Sequence, residues 1–179
     1  MNTKIKVSFF DRLDHPIPIK EVLVEEIILG IKNGEWKEKV ITCWDDIANK
    51  KTLPCFTPSG LYSYRKKDGL EVFSGIICLD FDSLENVSLF KRQCSRIPWI
   101  WCAFTTPSKR GVKVLVLTEA QKEDYAIYEA TIAKKIVDTT GCLRDERAKD
   151  LARLQFVSYD PKLFLNTSPS YFKIGDSKL

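Results

Sequence analysis

The spacing of apolar residues changes several times along this chain, and each change marks an element. From Lys4 to Phe10 polar and apolar residues alternate, which predicts a first strand. Ile19 to Lys32 has helical spacing and runs into Asn33-Gly34, a helix stop. A short helix is expected around Thr42 to Asn49, followed by a basic turn at Lys50-Lys51. Thr57-Pro58-Ser59-Gly60 breaks the chain before a strand at Leu61 to Tyr64, and Lys66-Lys67-Asp68-Gly69 reads as a turn.

Beyond residue 74 the pattern is more regular. It predicts strand 75–82, helix 84–96, strand 99–105, a turn at Pro107 to Gly111, strand 112–118, helix 121–138 and strand 153–159. That order is βαββαβ, the split βαβ or ferredoxin-like arrangement. The runs IICL, WIWCAF and VLVL are almost continuously apolar, which suits a sheet covered on both faces. The fold class expected is therefore α+β. An RRM/ferredoxin-like half (71–166) packs against an N-terminal α+β cover (1–70), forming one domain over 1–166. Residues 167–179 read as a tail or linker.

With 179 residues, 44% of them apolar and 29% charged, the chain can bury a substantial core. A net charge of +4 permits an anionic partner without requiring one. Six cysteines without C-x-x-C spacing and a single histidine, His15, argue against zinc. No cleavable apolar leader and no run of about 18 apolar residues is present. The expectation is a cytoplasmic protein with reduced thiols and no membrane partner.

Candidate chemistry begins at Asp80-Phe81-Asp82, which closes the run Gly75-Ile76-Ile77-Cys78-Leu79. Alternation along a strand sends both carboxylates from one face, about 7 Å apart. Such a pair suits Mg²⁺ or Mn²⁺, which take one or two carboxylates plus substrate phosphates. The plainer alternative is a solvated strand end whose second aspartate caps the next helix. The turn Thr105-Thr106-Pro107-Ser108-Lys109-Arg110-Gly111-Val112-Lys113 combines hydroxyls, three cations and a glycine, a composition that cradles phosphate. Lys113 is the only charge between Val112 and Leu117, so it must snorkel or find an anion, and the aspartate pair offers one. In the charged stretch before the last strand, Asp145 or Asp150 could add a third carboxylate, and Arg153 could meet a phosphate. Trp99 and Trp101 share a strand face on this reading, as core residues or as stacking surfaces for bases.

The chain resembles the N-terminal domain of virulence-associated protein E, related to the archaeo-eukaryotic primase-polymerase superfamily. The resemblance runs from Lys50-Lys51-Thr52-Leu53-Pro54 through the Asp80/Asp82 strand and the Thr106–Lys113 turn to Arg153-Leu154-Gln155-Phe156-Val157-Ser158-Tyr159-Asp160-Pro161. It implies a primase-like core in which Asp80, Asp82 and Asp145, with Asp150 as fallback, are catalytic and hold Mg²⁺ or Mn²⁺. Ser108, Arg110, Lys113 and Arg153 would then bind nucleotide phosphates. It also implies nucleoside triphosphates, a single-stranded nucleic acid template and a helicase on the same or a neighbouring chain as partners, in replication of mobile or phage-like elements. The sequence departs from the family at Lys113, where a histidine is expected. A lysine contacts phosphate as a point charge but cannot serve as a neutral imidazole. Nucleotide binding tolerates that change better than a nucleotidyltransferase activity does, so a catalytically inactive nucleic-acid-binding module is the alternative.

Overall fold

The computed structural model describes residues 4–142 and 150–175. In chain order the elements are β1 (Lys6–Phe10), β2 (Lys20–Leu23), α1 (Val24–Asn33), α2 (Lys37–Asp45), β3 (Cys55–Thr57), β4 (Gly60–Tyr62), β5 (Leu70–Phe73), β6 (Ile76–Phe81), α3 (Val87–Cys94), β7 (Ile100–Thr105), β8 (Val112–Leu117), α4 (Tyr125–Thr140), β9 (Gln155–Phe156) and β10 (Phe164–Leu165). Short 3₁₀ turns occupy Ile47–Thr52, Lys67–Gly69 and Lys122–Asp124. The class is mixed α+β, built on antiparallel pairing. One sheet has the order β2-β1-β3-β9, a second β10-β7-β8-β6, and β4-β5 form a separate hairpin.

The second sheet is covered on both faces, as its continuous apolar runs require. Ile77, Leu79 and Phe81 of β6, with Val112, Val114 and Val116 of β8, face α3 and α4. The alternate residues Ile76, Cys78, Leu115 and Leu117 face the first sheet and α1. Helix α1 buries Val24, Ile27, Ile28 and Ile31, the i, i+3, i+4, i+7 stripe that its spacing dictates. It stops at Gly34, whose φ of 86° is easy only for glycine and whose N–H donates to Gly30 O.

Several sequence expectations are corrected. The expected 19–32 helix begins only at Val24 and runs to Asn33, because Lys20–Leu23 pairs antiparallel with β1. The expected strand 153–159 shrinks to Gln155–Phe156 and joins the other sheet, pairing with Cys55 and Phe56 of β3. Thus β6-α3-β7, with β8 between the strands, makes one split βαβ unit, while the second does not close. A strand absent from the expectation, β10, completes that sheet on the opposite edge, beside β7. Trp99 and Trp101 do not share a face. The β7–β8 register shifts between Ile100 and Cys102, and this bulge sends Trp99 into the helix-side core and Trp101 into the other. Both indoles are buried in packing, which takes them out of base stacking. The expected tail is docked as far as Phe172. That ring is buried against Trp99 and Tyr128, and its N–H donates to Leu117 O at 2.8 Å.

Candidate functional site

Asp80 and Lys113 face each other in the β6–β8 ladder, at the end of the face directed toward the first sheet. Lys113 Nζ donates to Asp80 Oδ2 at 2.6 Å, with the side chains 3% and 12% exposed. The lone lysine of an apolar strand has therefore found an anion, as burial of its charge demands. Asp80 Oδ1 is buried with no hydrogen-bond partner. An ionised carboxylate with one oxygen left unsatisfied is costly, and such an atom marks where a further cation or donor fits.

Asp82 lies just past β6 and is exposed. It does not cap α3. Asn86 does, its side chain accepting from Leu89 N at 2.8 Å. The Thr106–Gly111 turn lies against Asp82, and Gly111 is what permits the approach. A Cβ there would come within 2.8 Å of Phe81 O and 2.9 Å of Asp82 Oδ1. The turn is tied by Thr106 N to Gly111 O and by Leu84 N to Arg110 O. Left-handed φ values at Ser83 (55°) and Lys109 (63°) flank this contact. The phosphate candidates separate here. The half-buried Ser108 hydroxyl shares a hydrogen bond with Thr106, Arg110 is exposed, and Lys109 Nζ sits 3.2 Å from the centroid of the Trp44 ring. Lys109 is thus held toward α2 by a cation–π contact.

The residue missing from the sequence reading is Lys50. Burial and the neighbouring Lys113 push its ammonium below the ordinary lysine value, and Arg153 adds to this, while Asp80 and Asp82 pull the other way. Its Nζ lies 5.2 Å from the centroid of the Phe156 ring. In sequence it is one of two lysines in a basic turn, and no linear spacing connects position 50 to position 80. Arg153 is exposed and lines a cleft of about 620 Å³ together with Leu13, Arg65, Lys66, Lys67 and Asp150. Asp150 belongs to that wall, where its Oδ1 accepts from Ala152 N at 3.0 Å. Among the described residues no group of three or more His, Cys, Asp or Glu side chains is placed to hold a metal, so Asp150 does not complete the Asp80/Asp82 pair. Asp145 lies outside the described residues.

One family comparison bears on this arrangement: BT4734-like, N-terminal domain, matches residues 48–165. The chain belongs to this family. The span of the BT4734-like domain takes in Lys50, both aspartates, the 106–111 turn, Lys113 and Arg153, while β1, β2, α1 and α2 precede it although their side chains complete its core. Neither the curated proteins nor the solved structures returned a match. The finding replaces the resemblance to virulence-associated protein E, since nothing links this chain to that family or to the primase-polymerase superfamily. What that resemblance alone carried falls with it: the histidine position assigned to Lys113, the helicase and the mobile-element setting.

A second buried ion pair, Lys91–Asp160, is satisfied within the fold. Asp160 Oδ2 accepts from Lys91 Nζ at 2.5 Å and from Thr105 N and Oγ1 at 2.8 Å, which fixes the chain after β9 across the end of β7. None of the six cysteines forms a disulfide, and burial raises the Cys55 and Cys94 thiols to about 12. They are packing residues. Among the described residues no helix is long and apolar enough to cross a membrane.

Proposed function

We propose that this domain binds the phosphates of nucleoside triphosphates and of single-stranded nucleic acid at the Asp80/Asp82 end of β6, with Mg²⁺ or Mn²⁺ as the cofactor. The observation that carries the reading is the buried Asp80–Lys113 pair, whose Asp80 Oδ1 has no partner although exposed Asp82 and cationic Lys50 stand nearby. Hard oxygen donors in this number suit a small divalent ion that keeps most of its shell for water and phosphate. When bound, such an ion would supply charge neutralisation on phosphate oxygens. The chain does the rest. Asp80 and Asp82 would hold the cation, while Lys113 and Lys50 would offer positive charge to the phosphates and Gly111 keeps the turn close. Phosphoryl transfer asks little covalent chemistry of a protein, so a nucleotidyltransferase is within reach of these groups.

A second reading, a metal-free nucleic-acid-binding module, is favoured by one specific observation. Lys113 already neutralises Asp80, and among the described residues no third carboxylate joins the pair. Titration calorimetry with a nucleoside triphosphate, with and without Mn²⁺, separates the two. The first reading expects binding that needs Mn²⁺ and falls at least ~10-fold in Asp82→Asn, about 1.4 kcal/mol. Binding indifferent to both Mn²⁺ and Asp82 selects the second, and no binding of triphosphate or single strand refutes both.

A further inference from the structure

The cleft of about 620 Å³ opens between the Arg65-Lys66-Lys67 corner of the β4–β5 hairpin and the stretch from Asp150 to Phe156. Among the described residues its walls carry four cations, Arg65, Lys66, Lys67 and Arg153, against one carboxylate, Asp150. That carboxylate is engaged in its own turn, with Oδ1 accepting from Ala152 N and the main-chain carbonyl accepting from Arg153 N. The basic corner is built into the fold. Arg65 N donates to Pro16 O at 2.8 Å, Gly69 N to Lys66 O at 3.0 Å and Ser63 N to Gly69 O at 3.0 Å. A Cβ at Gly69 would fall 2.2 Å from Tyr64 O, so the backbone closes there only with glycine.

The cleft also leads somewhere. Phe156 on its wall carries Lys50 over its ring, and Lys50 lies within the electrostatic reach of Arg153 as well as of Lys113, Asp80 and Asp82. Positive charge thus continues from the cleft wall, through Lys50 over the Phe156 ring, toward the aspartates. Lys66, Lys67 and Arg153 are exposed, and Arg65 is half-buried. Solvated cations on two walls of an open groove recognise spaced phosphates rather than a single enclosed group. The volume is that of a small-ligand site, a scale that suits a single strand.

We propose that this cleft is the path of the phosphodiester backbone of a single-stranded polynucleotide, held by Arg65, Lys66, Lys67 and Arg153 and directed toward Lys50 beside Asp80 and Asp82. It rests on the phosphate-binding reading above for the identity of that strand, and it adds the route by which the strand arrives. Recognition is of backbone, so binding is tolerant of sequence and steep in salt.

The test uses the full chain and a fluorescein-labelled oligonucleotide, followed by anisotropy at several salt concentrations. Three proteins are compared: wild type, the double variant Lys66→Glu/Lys67→Glu, and the control double variant Lys122→Glu/Lys134→Glu. The control changes net charge by the same amount on and beside α4, where both lysines are exposed. The cleft variant is expected to lose at least ~10-fold in affinity, and its log–log salt slope to fall by about 1.4, since each single-strand phosphate contact contributes about 0.7. The control is expected to keep the wild-type slope. Calorimetry with a nucleoside triphosphate and Mn²⁺ on the cleft variant is expected to match wild type. That arm separates failure of the path from failure of the aspartate site. Equal losses in both doubles, an unchanged affinity in the cleft variant, or a wild type that binds no oligonucleotide at low salt each overturns the proposal.

Discussion

Lys113→Met tests whether the Asp80–Lys113 pair is a matched buried charge pair or an incidental contact. The substitution keeps the length and most of the volume of the side chain, so little cavity forms. What it removes is, among the described residues, the only hydrogen-bond donor to the Asp80 carboxylate, whose other oxygen has no partner there. Breaking one side of a buried ion pair costs about 3–5 kcal/mol, because the remaining charge is stranded. For a chain of this size about 1 kcal/mol moves Tm by about 2–4 °C, so the variant is expected to melt about 6–20 °C lower. Removing both charges, as Asp80→Val/Lys113→Met, is expected to recover most of that loss, since apolar replacement of a whole buried pair is often neutral. Urea denaturation of wild type, Asp80→Val, Lys113→Met and the double variant closes the double-mutant cycle, with an expected coupling of at least about 2 kcal/mol. The single variant adds a second readout. Mn²⁺ at about 100 times its Kd should return about 2.7 kcal/mol to Lys113→Met if the freed carboxylates hold metal. A single-variant cost within about 1 kcal/mol of zero would refute the reasoning, because it would mean that Asp80 was never stranded.

Two further outcomes follow from the same geometry. Gly111→Ala places a methyl within 3.0 Å of Phe81 O, Asp82 Oδ1 and Thr106 Oγ1. Overpacking of this kind costs about 1–3 kcal/mol, so thermal melting should fall and Mn²⁺ binding should weaken as Asp82 is displaced, whereas an unchanged melt contradicts the close approach. Lys50 has a folded pKa below its ordinary value, so between the two the unfolded chain binds the extra proton and stability rises with pH. Relative to Lys50→Met, wild type should gain stability in urea titrations as pH climbs from neutral toward about 10.4, and a flat difference would remove the desolvated ammonium from the account.

The legibility of this protein divides along local and non-local lines. Helix α4, the strands β6, β7 and β8 and the turn between β7 and β8 were readable because each is encoded by the spacing of its own residues. The spacing of α1 was readable too, but not its start. Lys20–Leu23 looks helical in isolation and becomes a strand because β1 offers it a hydrogen-bonding edge. The stretch after Arg153 has strand character on any local criterion, yet the choice between the edge of β6 and the edge of β3 is a comparison of distant partners. Trp99 and Trp101 diverge through one extra residue in a ladder, which composition does not encode.

The candidate site divides the same way. Asp80, Asp82 and Lys113 could be named from sequence because strand alternation assigns a face and an isolated charge on an apolar face demands a counter-charge. By itself the sequence determined that these groups had to meet something, and that the chain had to bury two faces of one sheet. Only the tertiary structure decided what they met: Lys113 across the ladder from Asp80, Lys50 approaching from a turn some thirty residues earlier, and a basic corner at Arg65–Lys67 facing Arg153 across a cleft. The physical reason is that periodicity and charge spacing act over a few residues, whereas desolvation and Coulomb attraction act through space, between groups that the chain brings together only when it folds.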